Sequence, residues 1–277
     1  MAINLATKFS DKVDEKFTTE SKTSLVTNKE YEFIGAHSIK IYSVGTAEMN
    51  NYGRNTDGIS RYGTPKDLST DVQEVSMEKD RSFTFVIDKM DEDETLGALN
   101  AGKALARQLR EVVIPEVDAY TYKKMSDNAG TTKTETITDE NAYDAIVAGN
   151  EVLDENEVPA DGRVVTCTPA FNSHLKKDAK AVLETEIGQD MRIKGVVANM
   201  DGTTIQKVPS KLLPAKQNFI LSHPVATTQA IKLADYKIHT DAPGVSGSLV
   251  EGRIYYTAFI RNNKKKAIYS SKSQASV

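Results

Sequence analysis

The 277-residue chain has a single cysteine, Cys167, so it can close no disulfide within itself. That excludes a small secreted scaffold held by disulfides and fits a reducing compartment. No apolar run approaches the roughly 18 residues that a spanning helix needs. The opening, MAINLATKFSDK, lacks the apolar core of a secretory signal. The four histidines, His37, His174, His223 and His239, lie at no metal-ligand spacing from one another or from Cys167. There is no HExxH, CxxC, GxSxG or Walker-type loop, and no GxGxxG after a strand. Cys167 lies in the apolar stretch RVVTCTP and reads as a buried structural thiol rather than a nucleophile. With a net charge of −4, the chain has no overall attraction to nucleic acid or anionic membrane. Internal repeats and long low-complexity linkers are also missing. No enzyme class, cofactor or metal is indicated, which leaves structural and binding roles.

What is present is organised around Thr95 to Ala129. Leu105, Leu109, Val112, Val113, Val117 and Tyr120 recur at spacings of three and four, which predicts one apolar face of a long helix. Asp91, Glu92, Asp93 and Glu94 crowd its expected start, where the helix dipole favours negative charge. Their alternative reading as a cation site is the weaker one. Lys123 and Lys124 fall in the last turns, and Gly130 follows as a stop. Such a rod would run roughly 50 Å. Pro115 is its flaw: the missing amide and the bias on Ile114 predict a kink or break. A hydrophobic fraction of 39% supplies a core but suits an elongated body better than a thick globule.

Residues 1–30 are polar, with Leu5, Phe9, Val13, Phe17 and Leu25 scattered among them. A mobile tail and an arm that binds a neighbour are both open readings. EYEFIGAHSIKIYSV alternates at Ile39 and Ile41 and reads as strand. Residues 45–70 then lose the pattern in turn chemistry such as NNYGRN, TDG and YGTP. Val75, Met77, Phe83, Phe85 and Ile87 restore it, so 39–90 reads as a two-stranded excursion with a wide tip. A tip that long inside a compact domain is unusual unless it has a function. DENAYDAIVAGNEVLDEN predicts a second helix capped by Thr138 or Asp139, burying Tyr143, Ile146, Val147 and Leu153. RVVTCTP predicts a strand, and Pro169 opens the helix PAFNSHLKKDAKAVL. Asp201-Gly202 predicts a tight hairpin turn in GVVANMDGTTIQKVP. NFILSHP reads as strand, and HPVATTQAIKLADYKI as a short helix and a strand. GRIYYTAFI and KAIYSS read as a closing strand pair around the basic turn RNNKKK.

Charge is divided along the chain. Between Asp71 and Glu94 nine acidic residues face Lys79, Arg81 and Lys89, whereas no acidic residue follows Glu251. Opposed patches on one chain suit a subunit that orients copies of itself. Direct nucleic-acid binding is the weaker reading, since basic and aromatic residues are not interleaved.

This order of elements resembles the major capsid proteins of tailed bacteriophages, the Hong Kong phage (HK97-like) fold that encapsulin nanocompartments share. The resemblance covers nearly the whole chain and rests on order and texture, since the family has no invariant signature. It implies an α+β fold. An N-terminal arm (1–38) would lead into an extended loop, the E-loop (39–90). A peripheral domain would follow (91–159), with its spine helix at 95–129. An axial domain (160–250) would begin near RVVTCTPAFNSHLKKD, and return strands would close the peripheral domain (251–277). It further implies a non-enzymatic virion shell built of pentamers and hexamers around packaged double-stranded DNA, assembled in the bacterial cytoplasm. A separate scaffolding protein, since the chain opens almost directly on the arm, and a portal would be partners. Candidate contacts between copies are Tyr52, Arg54, Arg61, Tyr62 and Lys66 of the loop, Glu78 of the acidic stretch, and Lys264, Lys265 and Lys266 of the basic turn. Rival readings are an encapsulin-like cargo shell, a mostly β phage tail subunit, and a small-molecule enzyme without a supporting motif.

Overall fold

The computed structural model describes residues 21–31, 37–54, 60–95, 100–178, 180–181, 196–240, 242–244 and 246–274. The expectations for residues 1–20 fall outside them. The fold mixes helices and strands around three apolar clusters.

A hairpin comes first. Strands β1 (Ser38–Val44) and β2 (Thr70–Ser76) pair antiparallel, with Val44 opposite Thr70 as the last pair before the tip. The two-stranded excursion ends sooner than expected. After Met77 and Glu78 the chain leaves the hairpin, and β3 (Lys79–Asp88) joins another sheet.

Helix α1 (Lys89–Glu94) holds the acidic cluster, with the Asp88 carboxylate accepting from the Met90 amide at 2.8 Å. The acids therefore precede the long helix instead of starting it. That helix begins at Asn100, whose side chain accepts from Gly102 N at 3.0 Å, an ordinary N-cap. It runs through α2 (Ala101–Gln108), a π turn (Leu109–Val113) and α3 (Ile114–Asp127). Pro115 does not break it. Pro115 offers Glu111 no amide, and reaching one residue further is the register a π turn provides. The Ile114 amide accordingly donates to the Leu109 carbonyl, five residues back. The extra residue also shifts the phase of the apolar face. Leu105, Leu109, Val113 and Val117 stay buried while Val112 is 47% exposed.

Three strands form the smaller sheet, in the order β3, β10 (Gly247–Ile260), β9 (Thr227–His239), all antiparallel. Its inner face packs Ile87, Tyr236, Val250, Ile254 and Tyr256 against α2 and α3. Its outer face carries ion pairs, including a two-pronged Arg253–Asp80 contact and Lys237–Asp235 at 3.0 Å.

The larger sheet has six strands. After β4 (Thr131–Thr134) come α4 (Ala142–Glu155), β5 (Val164–Cys167), α5 (Pro169–Lys177), β6 (Val196–Met200), β7 (Thr203–Lys207), β8 (Gln217–Ser222) and, at the end of the chain, β11 (Ile268–Lys272). The order across the sheet is β4-β11-β8-β5-β7-β6. Asp201 and Gly202 turn β6 into β7 with φ of +48° and +70°, the positive pair a two-residue hairpin turn demands. Thr168 caps α5 and Pro169 takes its first turn, as the sequence suggests. Helix α4 starts at Asn141 and buries Ala142, Ala145, Ile146, Gly149 and Leu153; Val147 faces outward instead. Arg163, 3% exposed, ties the end of α4 to the sheet through Pro159 O (3.0 Å), Val158 O (2.6 Å) and Asp154 (2.6 Å).

The two closing strands do not pair with each other. The basic 3-10 turn Asn262–Ala267 carries the chain from β10 in the small sheet to β11 inside the large one. Strand membership thus cuts across sequence order: β9 sits with β3 and β10, while β11 lies between β4 and β8. Helix α3 touches both bodies, since its Val117 packs on the small sheet and its Tyr122 and Met125 join the core of the large one.

Candidate assembly surfaces

The hairpin has an apolar face and a mixed one that carries an apolar patch. Ile39 and Ile41 on β1 and Val75 on β2 turn inward and pack with Met77, Tyr31, Ala230 and Phe259. On the opposite parity, Tyr42 and Val72 sit across from each other and are 66% and 46% exposed. Val44 shares that parity and is also exposed, and Leu68 and Met49 are exposed beyond the last strand pair. A cross-strand aromatic–β-branched pair is a stabilising unit of a sheet when covered. Here both side chains stay exposed.

The root is fixed by polar bonds. Gln73 donates to Ile260 O at 3.0 Å and accepts from Asn262 N at 2.9 Å. Asn263 reaches the Ser43 hydroxyl at 3.3 Å, Met77 N donates to His37 O at 3.0 Å, and His37 Nδ1 lies 2.7 Å from the Tyr255 hydroxyl. The tip beyond Gly45 and Ser69 has little regular structure but some internal order. Gly45 N donates to Ser69 O at 2.8 Å and Gly53 N to Arg61 O at 3.0 Å. Tyr52 and Tyr62 meet edge to face with centroids 5.0 Å apart, a favourable ring geometry.

The structure groups five of the nine candidate contact residues, Tyr52, Arg54, Arg61, Tyr62 and Lys66, on this exposed tip. Glu78 is placed differently. At the junction between the hairpin and β3 its carboxylate accepts from Lys124 Nζ at 2.7 Å and Tyr120 Oη at 2.8 Å. Partial burial pushes this carboxyl up, but the two hydrogen bonds outweigh it and hold the pKa below its ordinary value. Glu78 is therefore engaged with α3 of its own chain. Lys264, Lys265 and Lys266 lie in the turn whose Asn262 and Asn263 grip the hairpin root. The Lys265 carbonyl accepts from Gly130 N at 2.9 Å, and a Cβ on Gly130 would lie 2.5 Å from that oxygen, so only glycine fits there. Sequence reasoning missed Tyr42, Val44 and Val72. The signal was available: in IKIYSV, Tyr42 and Val44 put large apolar side chains on the parity opposite Ile39 and Ile41.

Among the described residues, no group of three or more His, Cys, Asp or Glu is arranged to hold a metal ion. Burial pushes the Cys167 thiol up to about 12, the opposite of an activated nucleophile. No described helix is long and apolar enough to cross a membrane.

No family model and no curated protein matches the chain. Solved structures do. A structure described as Mycobacterium phage Che8 is 19% identical, with 91% of this chain and 90% of that one covered at a TM-score of 0.70. The capsid structure of the cyanophage P-SCSP1u is 14% identical, with 91% and 87% covered at 0.69. The virus-like particle from Pyrococcus furiosus is 10% identical, with 98% and 100% covered at 0.58. The chain has the fold of these phage capsid structures over nearly its full length, in agreement with the α+β, HK97-like expectation.

Proposed function

We propose that this chain is a non-enzymatic shell subunit, a phage major capsid protein, that assembles with copies of itself into pentamers and hexamers closing an icosahedral shell around double-stranded DNA. The observation that carries the proposal is the two-faced hairpin: one face seated in its own subunit, the other open, with an exposed apolar patch of Tyr42, Val44 and Val72 beside Lys40 and Glu74, on a fold shared with capsid structures. In this reading the E-loop is the β1–β2 hairpin with its tip. The peripheral domain is the small sheet with α2 and α3, and the axial domain is the large sheet with α4 and α5. A scaffolding protein and a portal would be partners, and the virion the destination. A second reading, a cargo shell of the encapsulin kind, draws on the full-length match to the virus-like particle. Nucleic acid co-purifying with the particles favours the first, and a protein cargo the second.

The test removes the open face without unsettling the strands. Tyr42→Lys with Val72→Glu puts opposite charges directly across from each other, a tolerated cross-strand pair. Both sites are exposed, so the melt should stay within about 0.5 kcal/mol of the parent. Light scattering should show assembly lost. Assembly at the parent's level would remove this face from any contact between copies.

A further inference from the structure

Asp118, on α3, is 1% exposed. The hydrogen bonds it receives come from neutral donors in the segment before the hairpin. Ser21 Oγ donates at 2.6 Å and Thr23 Oγ1 at 2.9 Å to one carboxylate oxygen, and Lys22 N at 2.7 Å to the other. The Lys22 carbonyl is gripped in turn by Tyr122 Oη of α3 (2.7 Å) and Gln206 Nε2 of β7 (2.8 Å). Six residues on, Asn28 is bound to the start of β9. Its amide donates to Thr227 O at 2.9 Å, its carbonyl accepts from Gln229 N at 3.1 Å, and its side chain meets Pro224 O and the Thr228 hydroxyl, both at 2.7 Å. Ser21–Asn28 is thus a strap from α3 across β7 to β9, touching the helix and both sheets.

A buried carboxylate without a cation is costly, whereas a neutral carboxylic acid with hydroxyl partners is not. Lifting the strap hydrates Asp118, so the ionised form favours the open strap and the protonated form the closed one. We propose that Ser21–Asn28 is a pH-sensitive strap, held shut when Asp118 carries a proton and loosened when it ionises.

Burial pushes this carboxyl above its usual value, with the Ser21 and Thr23 hydroxyls and the Lys22 and Thr23 amides opposing the shift. The sign follows. The strap's contribution is complete below the ordinary carboxylate pKa of about 3.9 and is lost as pH rises through the raised value. The groups around it do not reproduce that dependence. On α3, Tyr122 is driven well above its ordinary value by burial and then by the Asp118 charge. The strap carries Lys22, and β7 and β9 present the neutral Gln206 and Gln229.

The experiment is hydrogen exchange of the full chain between pH 3 and 9, a range that starts below the ordinary carboxylate pKa, corrected for the intrinsic pH dependence of exchange and read at the Val26, Asn28 and Gln229 amides. In the parent, protection of the strap should fall at least about tenfold across that range, the effect of one unit of pKa difference. In Asp118→Asn the amide can donate to the Ser21 and Thr23 hydroxyls and accept from Lys22 N, so protection should stay high and flat. Should that variant fail to fold, Ser21→Ala with Thr23→Ala removes two donors from the ionised form, and the loss of protection should move to higher pH. Flat protection in the parent, an unchanged pH dependence in Asp118→Asn, or an unmoved midpoint in the double variant would each overturn the strap. The readout is local to one subunit, so failure of the shell reading would leave it intact.

Discussion

A chain with residues 45–69 replaced by Asn-Gly folds, melts cooperatively and makes no normal shells. Val44 and Thr70 are the last paired residues of the hairpin, so a two-residue turn closes it without a change of register. The described part of the tip contributes nothing to the three apolar clusters; Met49 is 97% and Tyr62 79% exposed. Loop-closure entropy changes slowly with length, and the loss of 25 residues for two favours folding by about 2 kcal/mol at most. The melting temperature should therefore match or slightly exceed the parent's. Assembly should fail because Tyr52, Arg54, Arg61, Tyr62 and Lys66, which touch little of their own chain, would no longer reach another. Normal shells from the shortened chain would sink the role given to the tip. A collapsed melt would show that the tip belongs to the core.

Gly252→Val should destabilise the small sheet. Valine raises β-propensity, and a glycine inside a strand ordinarily weakens it, so sequence rules alone predict a gain. The structure reverses the sign. A Cβ at Gly252 would lie 2.5 Å from Phe83 Cε1 and 2.7 Å from Tyr236 Cδ1, two rings stacked with centroids 6.1 Å apart over the strand. Both rings pack against the long helix side of the sheet, where overpacking costs typically 1–3 kcal/mol. A loss of about 3 kcal/mol, or a melting temperature lower by roughly 6–10 °C, is expected. An unchanged or raised melting temperature would mean the rings can part, and that the sheet and helix are not packed as described.

The features legible in the sequence are those set by neighbours in the chain. Asp201-Gly202 names its own turn, Thr168-Pro169 starts its helix, and the spacing from Leu105 to Val117 marks a helical face. Pro115 announced a disturbance in the long helix but not its form; a π turn and a break answer the same missing amide in different ways. Contacts distant in sequence were not legible. Nothing local says that β3 leaves the hairpin at Glu78 for β10, or that β11 enters the large sheet between β4 and β8. Gly252 is needed because of Phe83 and Tyr236, far away in the chain. Asp118 reads as an ordinary polar position until Ser21 and Thr23 are seen on it. On the candidate surfaces, turn chemistry marks the tip, whereas the open patch at Tyr42 and Val72 lies on the parity opposite Ile39 and Ile41 and escapes a reading of the buried face alone. The acidic cluster reads as the beginning of the long helix because Asn100, the real cap, carries no more local signal than Asp93.

The central claim is that copies of this chain close into a shell through the hairpin. Negative-stain electron microscopy of the purified full chain, alone and with a co-expressed scaffolding protein, tests it most directly. The account predicts ring-shaped capsomers and closed particles, with tubes or sheets where closure fails. A chain that stays monomeric in both preparations at high concentration would contradict it.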